Sequence, residues 1–169
     1  VIKMGKPIDR TDNPYKRFSN LVRIALGQPK MVAKPISGFL HVIVYVGFII
    51  INIELLEILI DGITGSHRFF SKYFNPFFYD FLIASFEILA LLVLISVIIF
   101  WTRRNIMKIK RFLSSEMKGW PKFDADNILY FEVVLMLLFL SMNATDLILQ
   151  GRGFEGYYKA GAFPISSFL

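Results

Sequence analysis

Three long apolar runs, Gly38–Ile60, Phe77–Trp101 and Asn127–Leu149, alternate along the chain with polar stretches rich in Lys and Arg. Each run approaches the ~20 residues with which a helix crosses the hydrocarbon core of a bilayer. Each also carries a start signal. Pro35 precedes the first, Asn75-Pro76 gives the second an N-cap followed by proline at the first helical position, and Asp124 and Asp126 head the third. Gly151 and Gly153 stop the third. The polar chain between the runs is too short to cover three apolar helices as a soluble core, so the pattern predicts an all-α membrane protein with three transmembrane helices. The chain then divides into a basic segment 1–37, a span 38–60, a hairpin 61–76, a span 77–101, a second basic segment 102–125, a span 126–150 and a tail 151–169.

The basic residues add an orientation. Fifteen of the 19 Lys and Arg lie in 1–37 and 102–125, against Arg68 and Lys72 in the hairpin and Arg152 and Lys159 in the tail. Positive loops stay on the cytoplasmic side, so the N-terminus is expected in the cytoplasm and the C-terminus outside. The net charge of +6 follows this sidedness, and nucleic acid is not expected as a partner. Both basic segments show apolar residues at helical spacing. Phe18, Leu21, Val22 and Ala25 recur between Pro14 and Leu26, and Ile106, Ile109, Phe112 and Leu113 between Arg103 and Leu113. These read as two amphipathic cytoplasmic helices on the inner leaflet or against a cytoplasmic partner, with Trp101 and Trp120 at the headgroup boundary.

Composition narrows the chemistry. Among 169 residues, 55% hydrophobic, there is no cysteine. A disulfide framework, a cysteine nucleophile, a zinc ribbon and a thiolate-held iron–sulfur cluster are thereby excluded within this chain. The spans contain His41, Glu54, Glu57, Glu87, Glu132 and Asp146 but no Lys or Arg. Ionisable residues inside a membrane are function candidates by default. With no cation in the spans, the acids are expected to be protonated, hydrogen-bonded, near the interface or paired with another subunit. A rise of ~1.5 Å per residue places His41 and Glu132 at an inner level and Glu54 and Glu87 at an outer one. Around the first helix, Tyr45 and Asn52 share the face of His41, whereas Glu54 and Glu57 fall on nearly the opposite face, which calls for a bundle with more neighbours. His41 can ligate haem iron, hydrogen-bond a quinone, relay a proton or bond across helices. His67, in the hairpin, reads as a surface residue. Val1 is not Met, and Phe163-Pro164-Ile165 and Phe168-Leu169 are expected to lie exposed, so the chain reads as part of a longer protein.

Two strings carry a family resemblance. Ile24-Ala25-Leu26-Gly27-Gln28-Pro29-Lys30-Met31, followed by Pro35-Ile36-Ser37-Gly38-Phe39-Leu40-His41 and Gly47-Phe48, resembles the membrane part of bacterial membrane-bound iron–sulfur oxidoreductases of the Bacteroidetes type. Ser114-Ser115-Glu116-Met117-Lys118-Gly119-Trp120-Pro121-Lys122, followed by Asn127-Ile128-Leu129-Tyr130-Phe131-Glu132, resembles the same family. These are similar to the membrane subunits of heterodisulfide reductase and of respiratory nitrate reductase. The resemblance implies a bacterial inner membrane, with the C-terminus periplasmic, and a five-helix cytochrome b-like bundle of which these helices are three. It implies that His41 is a metal ligand holding a haem b with a histidine from elsewhere, and that [4Fe–4S] clusters sit only in another domain or partner. Ile51 stands where two-haem members have a second histidine. The implied function is a membrane electron-transfer subunit passing electrons between a quinone pool, with menaquinone the candidate, and cytoplasmic iron–sulfur clusters. Glu54, Glu87 and Glu132 are then the candidates for quinone-linked proton movement, the catalytic positions of this reading. The chain would not be catalytic alone, its partners being the bilayer and other membrane and cytoplasmic subunits or parts of the same polypeptide. The alternative is a non-catalytic anchor or assembly subunit of a larger complex; a third reading is an ion-conducting subunit that uses the acids.

Overall fold

The computed structural model describes residues 12–27, 29, 34–109, 115 and 118–169. Those residues form four α-helices: α1 Pro14–Ala25, α2 Pro35–Thr64, α3 Pro76–Asn105 and α4 Trp120–Gly151, with short 3-10 turns at Phe69–Lys72 and Ser166–Phe168. α2, α3 and α4 are each long and apolar enough to cross a membrane. The chain is therefore an all-helical protein with three candidate spans, as the apolar runs predict.

All three spans outrun the apolar runs, because helix continues into polar sequence wherever end groups find partners. α3 starts at Pro76, with the Asn75 side chain accepting from the Phe77 amide at 3.0 Å, and closes on Arg103 and Arg104, cations suited to the negative end of a helix dipole. α4 starts seven residues before Asn127, at Trp120, behind Gly119 as N-cap and with Pro121 in its first turn. Asp126 is consequently not at the head of the helix. It pairs with Arg104 at 3.0 Å, and Arg104 also donates to the Lys122 carbonyl at 2.9 Å, which ties the end of α3 to the start of α4. The expected amphipathic helix over Arg103–Leu113 is corrected in its first half: Arg103–Asn105 is the last turn of α3, and Ile106–Ile109 is not helical. Its remaining residues, Lys110–Leu113, lie outside the described residues, as do Gln28, Lys30 and Met31 of the first family string and Ser114, Glu116 and Met117 of the second.

Val1–Phe39 and Leu40–Leu169 form separate compact units. In the first, α1 has the expected amphipathic pattern and buries none of its residues. In the second, α3 is the central helix. Its buried side chains Tyr79, Ile83, Phe86, Ala90, Val93 and Val97 alternate at spacings of four and three, a seam that neighbouring helices can grip on both sides. Ala90, Val93 and Val97 pack with Met136 and Leu140 of α4 and with Ile43, Val44 and Ile51 of α2. Gly47 permits the close approach of α2, since a Cβ there would lie 2.5 Å from a Val93 methyl. Gly47→Ala is expected to lose about 1–3 kcal/mol through overpacking. Because the two residues touch, Gly47→Ala and Val93→Ala together should cost less than the sum of the single changes, as read by thermal unfolding in detergent.

After α4 the chain turns back along the bundle. Gln150 brackets Ala160 with two hydrogen bonds (3.1 and 3.2 Å), and the Gly161 amide donates to Asp80 at 3.0 Å. Gly161 adopts φ +87 against Ile83, a conformation and a clearance that a larger residue would not tolerate. Phe163 then packs on Tyr79, Ile83 and Phe86. This corrects the expected exposed end: Phe163 and Ser166 are buried and Ile165 is half-buried, while Phe168 and Leu169 are exposed. Non-helical backbone at this level of an apolar bundle needs protein partners for its polar groups. Glu87 provides them, accepting from the Ile165 amide at 2.8 Å, the Ser166 amide at 3.2 Å and the Ser166 hydroxyl.

Candidate functional site: a buried arginine at the hairpin end

The hairpin after α2 is held from within. Asp61 accepts from the amides of Arg68 (2.8 Å) and Phe69 (2.9 Å) and from the Ser66 hydroxyl (3.1 Å). These bonds support Arg68 in the left-handed region, φ 52, which non-glycine residues seldom occupy. The turn sends the Arg68 side chain back between the helices, where the residue is 5% exposed.

There its guanidinium meets groups from three elements. Nη1 donates to Glu54 of α2 at 2.9 Å, Nη2 to Asn143 of α4 at 2.9 Å, and Nε to Asp146 of α4 at 2.8 Å. Nη2 also stands 2.8 Å from Asp146, and Glu57 lies 3.9 Å from Nη1. Glu57 accepts from Tyr79 of α3 at 2.9 Å and from the Phe70 amide at 2.8 Å. The Phe163 ring covers the guanidinium carbon at 5.2 Å, a cation–π contact from the C-terminal segment. Burial alone would make Arg68 give up its proton more easily, but the acidic side chains bonded to it, Glu54 foremost and then Asp146, hold it above the ordinary arginine value. Arg68 is thus a fixed cation inside the bundle.

Two expectations are corrected here. The acids are not without a cation in the chain, because a hairpin arginine outside the spans reaches them. His67 is not a free surface residue: its Nε2 lies 2.7 Å from Asp146, and Tyr157 and Tyr158 pack on its ring at 4.5 and 5.1 Å. Tyr158 further donates to the carbonyls of His67 and Arg68, the latter at 3.2 Å. A cavity of about 560 Å³ opens beside this layer, lined by Asp61, Ser66, His67, Arg68, Asp146 and Tyr157 among others.

The sequence candidates do not converge. Glu54 belongs to the arginine cluster, Glu87 holds the C-terminal segment, and Glu132 is half-buried on α4 with Asn52 on a separate groove of about 480 Å³ walled by Phe48, Leu55, Met136 and Phe139. The Asn52 amide bonds back to the Phe48 carbonyl at 2.5 Å. His41 is exposed, its ring stacked on Phe100 at 4.4 Å between centroids, and it makes no hydrogen bond among the described residues. It thus offers one ligand nitrogen, while His67 is engaged with Asp146 at the other end of α2. The chain fits half of a bis-histidine haem site. Among the described residues no three His, Asp or Glu side chains gather as a metal site. No family model, curated protein or solved structure matches the chain.

Sequence reasoning missed Arg68 as a site residue. The available signal was a charge imbalance: Glu54, Glu57 and Asp146 approach one end of the bundle, and His67-Arg68, followed directly by the apolar pair Phe69-Phe70, is the cationic sequence close enough to answer it.

Proposed function

We propose that the chain is the membrane-embedded part of an electron-transfer assembly in which His41 supplies one axial ligand to a haem b, the second coming from outside the chain. The observation that carries this reading is His41 itself, an imidazole on an exposed face of a candidate span, stacked on Phe100 and without a hydrogen-bond partner among the described residues. A histidine kept for packing within the chain would be turned inward or bonded. The resemblance of the residues around it to membrane-bound iron–sulfur oxidoreductases supports the same assignment. Haem b, when bound, supplies one-electron transfer, here between a menaquinone pool and [4Fe–4S] clusters on the cytoplasmic side.

The remaining roles fall to groups of this chain. Phe100 orients the imidazole from its flank. Glu132 and Asn52, facing an apolar groove, can hydrogen-bond a quinone head group and exchange its proton. The basic segments set the orientation, N-terminus cytoplasmic and C-terminus periplasmic, within a five-helix cytochrome b-like bundle. A reduced-minus-oxidised spectrum of the purified assembly should show a haem b signal that His41→Ala removes while helix content stays unchanged. A wild-type assembly without that signal, or full haem retention in the variant, would sink the ligand assignment.

A second reading, a non-catalytic membrane anchor, is favoured by the way the other acids are spent. Glu54, Glu57 and Asp146 hold the arginine cluster and Glu87 holds the C-terminal segment, so the hairpin half is a scaffold. Stoichiometric co-purification with other subunits, with no cofactor in any of them, would select it.

A further inference from the structure

The arginine cluster contains more carboxyl groups than one guanidinium can balance. Facing it are Glu54 and Glu57 from α2, His67 and Arg68 from the hairpin, Tyr79 from α3, Asn143 and Asp146 from α4 and the Phe163 ring from the C-terminal segment. Glu54, Glu57, Asp146 and Arg68 are each 8% exposed or less, so water does little to spread a net negative charge among them.

Hydrogen bonding identifies which carboxyl differs. Asp146 Oδ2 accepts from Arg68, and Oδ1 accepts from His67 Nε2 in the tautomer that leaves no hydrogen on the partnerless, buried Nδ1. Glu57 Oε1 accepts from the Phe70 amide, and the single hydrogen of the Tyr79 hydroxyl is shared between its two oxygens. Each of these four oxygens therefore has a hydrogen-bonding neighbour. Glu54 differs. Its Oε1 accepts from Arg68, whereas Oε2 is buried and has no partner among the described residues. We infer that Glu54 carries a proton on Oε2 at neutral pH and is a neutral proton-holding site behind Arg68.

The placement gives the proton a boundary. Arg68, His67 and Asp146 line the 560 Å³ cavity and Glu54 does not. Exchange between the Glu54 proton and water in that cavity must pass the layer formed by those three side chains. This inference is independent of the haem assignment, since neither the cluster nor its test involves His41.

The test is infrared spectroscopy of the full chain in lipid nanodiscs, in H2O and D2O. A protonated carboxyl band that shifts in D2O is expected in the wild type and should be absent from Glu54→Gln. Glutamine has the shape of the neutral acid, so Glu54→Gln should melt with the wild type, whereas Asp146→Asn and Glu57→Gln, which replace ionised groups, should melt lower. His67→Ala should shorten the time for the Glu54 band to shift in D2O by at least tenfold. The inference is overturned by the absence of such a band, by its persistence in Glu54→Gln with loss in Asp146→Asn, Glu57→Gln or Glu132→Gln, or by Glu54→Gln melting as low as Asp146→Asn. An unchanged exchange time in His67→Ala would overturn the boundary assigned to the layer.

Discussion

Arg68→Met is expected to abolish accumulation of the folded protein or to lower its stability by about 3–5 kcal/mol, the scale on which one partner of a buried ion pair is missed. The loss comes less from the bonds themselves than from what remains. Glu54, Asn143 and Asp146 would keep oxygens aimed at an apolar side chain, in a site where none of the three is more than 8% exposed. Arg68→Lys should recover only part of the stability, because one ammonium cannot span acceptors on two helices as the planar fork does. Combining Arg68→Met with Glu54→Gln and Asp146→Asn should recover more, since the side chains that bonded Arg68 are then all neutral amides. Thermal unfolding in detergent would check the series. An Arg68→Met protein that melts with the wild type would mean that the guanidinium does not bind the helices together.

Glu87→Ala should release the C-terminal segment. The substitution leaves the Ile165 and Ser166 amides and the Ser166 hydroxyl without their acceptor, and each unsatisfied buried group costs about 1–3 kcal/mol. The cost can be escaped by peeling residues 160–168 off α3 and α4, so the visible effect is local. Hydrogen exchange at Ile165 and Ser166 should speed up by at least tenfold, and trypsin should cleave after the exposed Lys159, with α2, α3 and α4 otherwise intact. Glu87→Gln, which keeps one acceptor oxygen, should fall between. Unchanged protection at both amides in Glu87→Ala would show that Phe163 packing alone secures the segment.

The spans were legible because an uninterrupted apolar run is a local property that no tertiary contact needs to complete. Asn75-Pro76 was legible for the same reason, the cap and the proline acting on their own backbone. The start of α4 was not, because Asp124 and Asp126 look like helix-heading acids until Arg104, from a different helix, is seen to claim Asp126. The site was legible by half. That acids lie inside the spans follows from counting along the chain, and Glu54 and Glu57 share a face by helical periodicity. That Arg68 meets them depends on a single residue at φ 52 reversing the hairpin, a backbone choice that becomes favourable only once Asp61 has bonded the next two amides. His67 was misjudged for the same reason, since the turn that buries Arg68 also brings its neighbour to Asp146. The role of Glu87 depends on a return of the C-terminal segment that hydropathy does not encode.

The hairpin clamp also bears on the order in which the protein is put together. Glu54 and Arg68 are 14 positions apart, and Glu57, Asp61 and Phe70 belong to the same stretch. A helix entering the bilayer with two acids near its end is a poor insertion substrate, but here the countercation and the backbone donors leave the ribosome almost directly behind it. α2 and its hairpin can therefore pair Glu54 with Arg68 and bond Glu57 and Asp61 to backbone amides before α3 exists, and Asn143 and Asp146 arrive later to a guanidinium already in place. α4 can then find its position by docking Asn143 and Asp146 onto a charge that the hairpin after α2 already presents.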